Sequence, residues 1–219
     1  MFHPPIARFV LLSTLGLWVA GPCRSDDLDP GNVPSPSIPE RETGVASWYG
    51  HPYHGRQGAN GEIYDMEKLT AAHRTLPFNT RVRVLDLRND RTVEVRITDR
   101  GPFIDGRIID LSLAAARAID MVGPGTDPVA LEVLEMPENA PPDVFAVQVG
   151  AFREVDNARN LCDLMQARYG QARMVFRAKD GLWRVLVGSK ATQAGAGTLT
   201  SRVFRETGEA GFVVRVDSM

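Results

Sequence analysis

The sequence is poor in cysteine, in long apolar runs and in excess charge of either sign. It has two cysteines in 219 residues, Cys23 and Cys162, and their wide separation provides neither a disulfide framework nor the ligand spacing of a zinc site. Its 25 Lys and Arg residues nearly balance 27 Asp and Glu residues, so nothing favours broad attraction to nucleic acid. We therefore expect no nucleic-acid partner, no metal and no other cofactor.

The apolar run near the N-terminus, Phe9 to Ala20, follows Arg8. At about a dozen residues it is short of the about 20 that a membrane span needs, and it fits the hydrophobic region of a secretory signal. We predict a signal peptide over residues 1–22 and export to the periplasm or cell envelope. Cys23 stands where a bacterial lipoprotein carries its acylated cysteine, but Pro22 precedes it. Simple secretion is the preferred interpretation, and lipidation of Cys23 is the alternative and the single predicted link to a membrane.

Composition and element order divide the rest of the chain. Residues 23–43 are rich in Asp, Pro, Ser and Glu, which predicts a flexible tether. Residues 44–135 show many short strands and one helix, a pattern that favours a small closed β-barrel. After a linker at 136–142, residues 143–219 follow the order βαββαβ, which predicts an α+β domain with a four-stranded sheet and two helices on one face.

One stretch of the first domain suggests chemistry. Val93, Val95 and Ile97 alternate with polar residues as in a half-buried strand, and Asp99 continues the apolar parity just before the turn Arg100-Gly101-Pro102. A carboxyl at the mouth of an apolar face loses solvation, which is the setting of a general acid. The alternative is that Asp99 only caps the Gly-Pro turn with its own side chain.

A helix is predicted to follow this stretch and to run to about Val122. Asp110 or Ser112 is placed to act as its N-cap, and Gly123 is suited to the position after its end. Asp110 is thus better explained as a helix cap than as a catalytic group.

Longer motifs occur in order through the first domain. They are Trp48-Tyr49-Gly50, His54-Gly55-Arg56, Ala59-Asn60-Gly61-Glu62, Leu69-Thr70-Ala71-Ala72-His73, Leu76-Pro77, Thr98-Asp99-Arg100-Gly101-Pro102-Phe103 and Gly106-Arg107-Ile108-Ile109-Asp110-Leu111-Ser112. In these motifs the chain resembles the rare lipoprotein A family of septal lytic transglycosylases. The resemblance implies that the first domain is a six-stranded double-psi β-barrel.

The second domain carries a looser set of motifs, Gln148-Val149-Gly150-Ala151-Phe152, Asn157-Ala158 and Trp183-Arg184-Val185. In these it resembles the sporulation-related repeat, or SPOR, domain. That resemblance implies binding to peptidoglycan glycan strands stripped of their stem peptides, at the division septum.

The family resemblance also implies a set of functional residues, Glu62, Asp65, His73 and Asp99. In a lytic transglycosylase the C6 hydroxyl of N-acetylmuramic acid attacks its own anomeric carbon and gives a 1,6-anhydro product. A single carboxyl can donate a proton and then take one from that hydroxyl, and we assign this role to Asp99. Glu62 would stabilise the oxocarbenium-like state or act as base. His73 would orient Asp99 or bind a sugar, and Asp65 would buttress the loop that carries Glu62.

Each of these residues also has a structural interpretation. Without the resemblance, Glu62 and Asp65 are explained equally well as turn residues, and His73 as a satisfied structural histidine. His51 and His54 on a Gly- and Pro-containing loop make only a weak zinc pattern, so no metal site is predicted.

Aromatic and basic residues supply candidate sugar contacts in the first domain. Trp48, Tyr49, Tyr53 and Phe103 would stack on pyranose rings, although Trp48 is as readily a core residue. Arg100 and Arg107 would meet the carboxylate of muramic acid, or else pair with nearby aspartates on the surface.

In the second domain the alternation places Gln148 and Arg184 on the sheet face opposite the helices, provided that Val147 and Val149 pack on those helices. An amide and a guanidinium on an open sheet suit sugar hydroxyls and acetamides. An ordinary solvated face is the equal alternative.

The resemblance therefore implies an endolytic peptidoglycan lytic transglycosylase that cleaves the bonds between N-acetylmuramic acid and N-acetylglucosamine in peptide-free strands. Its expected partners are glycan strands and divisome proteins. Two alternatives stay open. One is a non-catalytic wall-binding factor, since double-psi barrels of this kind also resemble expansins. The other is a hydrolase that uses two carboxylates on the same barrel.

Overall fold

A computed structural model describes residues 41–216, which fall within one unit that spans residues 38–219. The predicted signal peptide, Cys23 and nearly all of the predicted tether lie outside the described residues. Among residues 41–216 no helix is both long enough and apolar enough to cross a bilayer.

Strands and one short helix build the first domain. They are β1 (Glu42–Tyr49), β2 (Thr70–His73), β3 (Arg81–Asp86), β4 (Thr92–Asp99), β5 (Arg107–Ser112), α1 (Leu113–Ala118) and β6 (Thr126–Glu135). The six strands close into a barrel in the order β1-β5-β2-β4-β3-β6. β1 pairs with β5 and β2 with β4 in parallel, and the remaining neighbours are antiparallel. The predicted double-psi β-barrel is confirmed.

The barrel core follows the period-two alternation of its strands. In β4 the side chains of Val93, Val95 and Ile97 are buried, as predicted. They join one apolar cluster with residues of every other barrel strand and of α1. Burying each such side chain stabilises the fold by about 1.5–3 kcal/mol. The strand ends at Asp99, which pairs with Ala72 across a register shift, so this carboxyl is held at the end of a well-packed element.

The helix that follows β5 is shorter than predicted. It begins at Leu113, and Ser112 is its N-cap, because the Ser112 hydroxyl oxygen accepts the backbone N–H of Ala115 at 3.2 Å. The prediction of Asp110 as cap is wrong, since Asp110 lies inside β5. The helix also ends at Ala118, with Ile119 as its C-cap, instead of continuing to about Val122, so the prediction that Gly123 follows its end is wrong.

The second domain has the predicted order βαββαβ. Its elements are β7 (Phe145–Phe152), α2 (Val155–Tyr169), β8 (Ala172–Arg177), β9 (Leu182–Lys190), α3 (Gln193–Thr207) and β10 (Phe212–Arg215). The sheet has the strand order β10-β7-β9-β8. Val147, Val149, Val185 and Val187 pack on the helices, together with Met165 of α2 and other apolar residues.

The opposite sheet face is not open. Gln148 pairs with Leu186 across β7 and β9, and Leu186 packs in a small apolar cluster with Phe103, which follows β4 in the barrel. Gln148 is 5% exposed and Arg184 is 4% exposed. Both residues lie on the sheet face opposite the helices, as strand parity predicted. The expectation that this face is open is wrong for this structure, because the barrel covers it.

Candidate functional site

Asp99 lies at the end of β4, where Gly101 turns the chain with a φ of 146°, a backbone conformation that favours glycine. The Asp99 side chain is buried. Its Oδ1 accepts the backbone N–H groups of Ala59 at 3.1 Å and of Arg100 at 2.8 Å. Its Oδ2 accepts a hydrogen bond from the Lys179 ammonium. Donors from both domains therefore converge on one carboxyl.

Asp110 provides a second carboxyl in the same cavity. This cavity has a volume of about 310 Å³, and both Asp99 and Asp110 line it. The Ser47 hydroxyl donates to Asp110 Oδ1, and Arg107 Nη1 donates to the Ser47 hydroxyl oxygen at 3.2 Å. Burial raises the pKa of Asp110, the Asp99 carboxylate adds to the rise, and Ser47 and Arg107 oppose it. Asp110 is therefore an acid that holds its proton to higher pH than an ordinary aspartate.

Three tyrosines form one wall of this region. The Tyr49 and Tyr64 rings are stacked with centroids 4.4 Å apart, and Tyr53 meets Tyr49 edge-on at 6.2 Å. The Tyr64 hydroxyl donates to the carbonyl oxygen of Tyr49 at 2.6 Å. Burial raises the pKa of Tyr49, and the Asp99 carboxylate adds to the rise. The Tyr49 ring is thus a neutral hydroxyl-bearing surface beside the carboxyl pair.

Glu62 lies at the rim of the site. Both of its carboxylate oxygens accept hydrogen bonds from Arg96, at 2.9 and 2.7 Å. These hydrogen bonds lower the pKa of Glu62, which keeps the carboxylate ionised at neutral pH. Glu62 and Asp99 both line a narrow cleft, so the structure brings them to one region. Asp65 lies in the same loop, and its Oδ1 accepts the Glu67 N–H at 3.0 Å.

The His73 ring holds a turn and does not bond to Asp99. Its Nδ1 accepts the backbone N–H groups of Thr75 at 3.2 Å and Leu76 at 3.1 Å, which places the ring proton on Nε2. Nε2 is 3.1 Å from Glu42 Oε2 and donates to it. The carbonyl oxygen of His73 accepts Arg100 Nη1 at 3.1 Å, so His73 reaches the neighbourhood of Asp99 through its backbone.

The remaining predicted contacts of the barrel also line the cavity of Asp99 and Asp110. They are Trp48, Tyr49, Tyr53, Phe103, Arg100 and Arg107. Trp48 also packs against the barrel core. The Arg100 guanidinium lies 3.8 Å from the centroid of the Phe78 ring. Burial, with the nearby cations Arg215 and Arg177, lowers the pKa of Arg100 to about 9.

Sequence reasoning missed Asp110, Tyr64, Arg177 and Lys179 as residues of this site. Asp110 had a usable signal, because it belongs to an alternating strand segment. Lys179 had none, because Lys179-Asp180-Gly181 indicates only a hairpin. No group of three or more His, Cys, Asp or Glu side chains in the described part of the chain is arranged to hold a metal ion.

A double-psi barrel with two largely buried carboxyls, joined to a βαββαβ sheet domain, defines a two-domain class of protein. A family model described as "Lytic transglycolase" matches residues 41–131, and one described as "SPOR domain" matches residues 141–215. This chain, which combines the two domains, belongs to the rare lipoprotein A family.

Curated relatives carry the name "Endolytic peptidoglycan transglycosylase RlpA". That of Helicobacter pylori is 41% identical over 177 residues, covering 68% of this chain and 56% of the relative. That of Campylobacter jejuni is 54% identical over 98 residues, covering 45% of this chain and 36% of the relative. The chain thus spans about half the length, or less, of these relatives.

Among solved structures, an apo expansin from Clavibacter michiganensis is similar with a TM-score of 0.38 and 14% identity, covering 82% of this chain and 93% of that chain.

Proposed function

We propose that the protein is an endolytic peptidoglycan lytic transglycosylase that cleaves peptide-free glycan strands to 1,6-anhydro ends at the division septum. The observation that carries this proposal is the pairing of two carboxyls, Asp99 and Asp110, in one cavity with different surroundings. The family and the names of its curated relatives support the reaction class. The SPOR domain supports the wall, the periplasm and the septum as the place of action, with divisome proteins as further partners.

The two carboxyls suit the two proton transfers of the reaction. Asp110, whose pKa is raised by burial, would protonate the leaving glycosidic oxygen as its bond to the anomeric carbon breaks. Asp99 would take the proton of the C6 hydroxyl as the new bond to the anomeric carbon forms. No water is consumed, and proton exchange with solvent resets the pair. This proposal differs from the predicted scheme, in which Asp99 performed both transfers.

The other predicted residues would bind the sugar. Arg107 stands beside Asp110, and a guanidinium there would bind the lactyl carboxylate that removal of a stem peptide uncovers on N-acetylmuramic acid. Tyr49 and Tyr53 would stack on pyranose rings. Glu62, kept ionised by Arg96, would favour the oxocarbenium-like state through its charge.

The test is mass spectrometry of the products that the purified protein forms from peptide-free strands. The expected products carry anhydro ends, lighter by one water than hydrolytic ends. Asp99→Asn and Asp110→Asn should each remove them, whereas Asp163→Asn, an exposed change on α2, should retain them. Hydrated ends would contradict the proposal and indicate a hydrolase.

A wall-binding factor without catalysis is the second candidate. It is favoured by one observation, the contact of Lys179 with Asp99, which fills the position that a sugar would take. In that case the protein would pellet with the strands and release no fragments.

A further inference from the structure

The hairpin between β8 and β9 enters the cavity that holds Asp99. Its residue Lys179 reaches across from the second domain and donates its ammonium proton to Asp99 Oδ2. The Lys179 side chain is 9% exposed, and the Asp99 side chain is 3% exposed. A polysaccharide cannot reach a carboxyl that is covered to this extent.

The same lysine also lies against the wall formed by the three tyrosine rings. Lys179 Nζ lies 4.1 Å from the ring centroid of Tyr49, 5.3 Å from that of Tyr53 and 5.2 Å from that of Tyr64. A cation held over aromatic faces at such distances is attracted to them. Because Tyr49 and Tyr53 are the rings proposed to stack on sugar, the hairpin and a sugar ring would compete for one surface.

Two further hydrogen bonds hold the hairpin in place. Arg56 Nη1 donates to the carbonyl oxygen of Lys179 at 2.9 Å. Arg177 Nη1 donates to the carbonyl oxygen of Arg100 at 2.9 Å and lies 3.9 Å from Asp99 Oδ1. The hairpin is thus anchored at Lys179 itself and at Arg177, two residues before it.

In the structure in which the hairpin enters the cavity, the barrel also covers the sheet face of the second domain. Gln148 and Arg184, the residues proposed to bind glycan, are buried on that face. Leu186 packs in the cluster that includes Phe103 of the barrel, and the Arg184 guanidinium lies 5.6 Å from the Phe103 ring centroid. One domain contact therefore blocks the carboxyl pair and the glycan-binding face together.

We propose that this arrangement is a self-blocked resting form, and that a peptide-free glycan strand releases it by competing with the barrel for the sheet face of the second domain. Binding of the strand would withdraw Lys179 from Asp99 and open the cavity. The strand would thus be both activator and substrate. This inference rests on the proposed function, because it takes the blocked site to be catalytic.

The chemistry of the contact between the two domains is suited to reversible docking. Burial, with the neighbouring cation Arg184, lowers the pKa of Arg177 to about 10, which shows that the docked form holds a guanidinium where charge is disfavoured. The Nε atoms of Arg177 and Arg184 are buried without a hydrogen-bond acceptor among the described residues. Unsatisfied donors destabilise the docked form. A glycan strand offers hydroxyl and acetamide oxygens to the same donors.

Lysine labelling tests the release without relying on catalysis. The full-length protein is treated with an amine-reactive reagent, and labelling is followed at each lysine by mass spectrometry. Lys179 is buried, whereas Lys190 on β9 is exposed and serves as the internal reference. Lys179 should be labelled much more slowly than Lys190 in the free protein. Peptide-free strands should raise the labelling rate of Lys179 and leave that of Lys190 unchanged.

Variants of the hairpin anchor sharpen the test. Arg56→Ala removes the hydrogen bond to the Lys179 carbonyl and should raise Lys179 labelling without strands. It should also raise the release of anhydro-ended fragments by about fivefold or more, the lower end of typical coupling between sites. Arg159→Ala, which removes an exposed arginine paired with Asp156 on α2, is the matched control and should change neither rate.

The outcomes separate this inference from the proposed function. Equal labelling of Lys179 and Lys190 in the free protein would overturn the self-blocked form. So would strands that pellet the protein yet leave Lys179 protected. Labelling that rises with strands, but with no fragments from any variant, would support the self-blocked form and reject the transglycosylase.

Discussion

The site contains two pairs of acids, an inner pair in the cavity and a rim pair on the loop that carries Glu62. Asp99 and Asp110 lie inside the cavity and are held by donors from several elements. Glu62 and Asp65 lie on the loop at the rim, with side chains 53% and 36% exposed. Solvent screens the charge of the rim pair, whereas the Asp99 side chain is buried and the Asp110 side chain is partly buried.

This difference shows that acids of one site need not share one role. Burial raises the pKa of Asp110, and a shifted pKa suits an acid to proton transfer. An acid in solvent, paired with a guanidinium, acts through its charge or through the turn that it stabilises. Variants of the four acids should therefore differ in the size and kind of their effects.

The largest effect is expected from Asp99→Asn. The amide cannot accept the C6 hydroxyl proton, so the initial rate of anhydro-end formation should fall by about 10²–10⁴-fold, the usual contribution of a general base. The rate is measured by mass spectrometry on peptide-free strands. A fall of less than tenfold would place the proton acceptor elsewhere.

Asp110→Asn should also reduce turnover strongly, by about 10²-fold or more, because the amide cannot protonate the leaving oxygen. In the unchanged protein, turnover should decline as pH rises through the raised pKa of Asp110, since its proton is then lost. The alkaline side of the pH profile of the initial rate measures this decline. A rate that does not decline on the alkaline side would contradict Asp110 as the acid.

Asp110→Asn should at the same time stabilise the fold at neutral pH. A carboxyl whose pKa is raised on folding binds more protons in the folded than in the unfolded chain, so the free energy of unfolding falls as pH rises between the ordinary and the raised value. In urea unfolding at pH 7 the variant should therefore have a larger free energy of unfolding than the unchanged protein. At pH about 3 it should not. A variant that is less stable at neutral pH would mean that the carboxylate is a structural acceptor.

Glu62→Gln should have a smaller effect. Because Glu62 is exposed and paired with Arg96, loss of its charge should slow turnover by about fivefold or less, in keeping with the small energies of exposed ion pairs. Arg96→Gln is the matched control and should give a loss of similar size. A loss as large as that of Asp99→Asn would move Glu62 into the proton-transfer step.

The smallest effect is expected from Asp65→Ala. It removes the acceptor for the Glu67 N–H, and the free energy of unfolding should fall by about 0.5–1.5 kcal/mol, the value of one hydrogen bond. Asp65→Asn retains an acceptor oxygen and should restore most of this loss in urea unfolding. If the two variants are equally unstable, the charge of Asp65 matters more than the turn.

The sequence predicted those features that local pattern determines. Alternation in Val93, Val95 and Ile97 was enough to place β4 and to put Asp99 at its end, and the βαββαβ order followed from turn residues and periodicity. Asp110 was misassigned because Asp-Leu-Ser is also a typical helix start, and only pairing with β1 and β2 shows that it belongs to a strand.

Contacts between domains could not be predicted from pattern. Alternation correctly separated Gln148 from Val147, but it carries no information on what lies over a face. Lys179 and Asp99 are far apart in the sequence and meet only because two complete domains are docked. Local sequence signals act over a few residues, so such a pair has no signature in a single sequence.

The three rings around Lys179 give the protein a built-in optical signal. The chain has four tyrosines, and three of them, Tyr49, Tyr53 and Tyr64, lie near one ammonium group. Because tyrosine ultraviolet absorption responds to nearby charge and to solvent, withdrawal of the hairpin would alter most of the tyrosine chromophores at once. A difference spectrum of the unlabelled protein, recorded as strands are added, would follow that movement in real time.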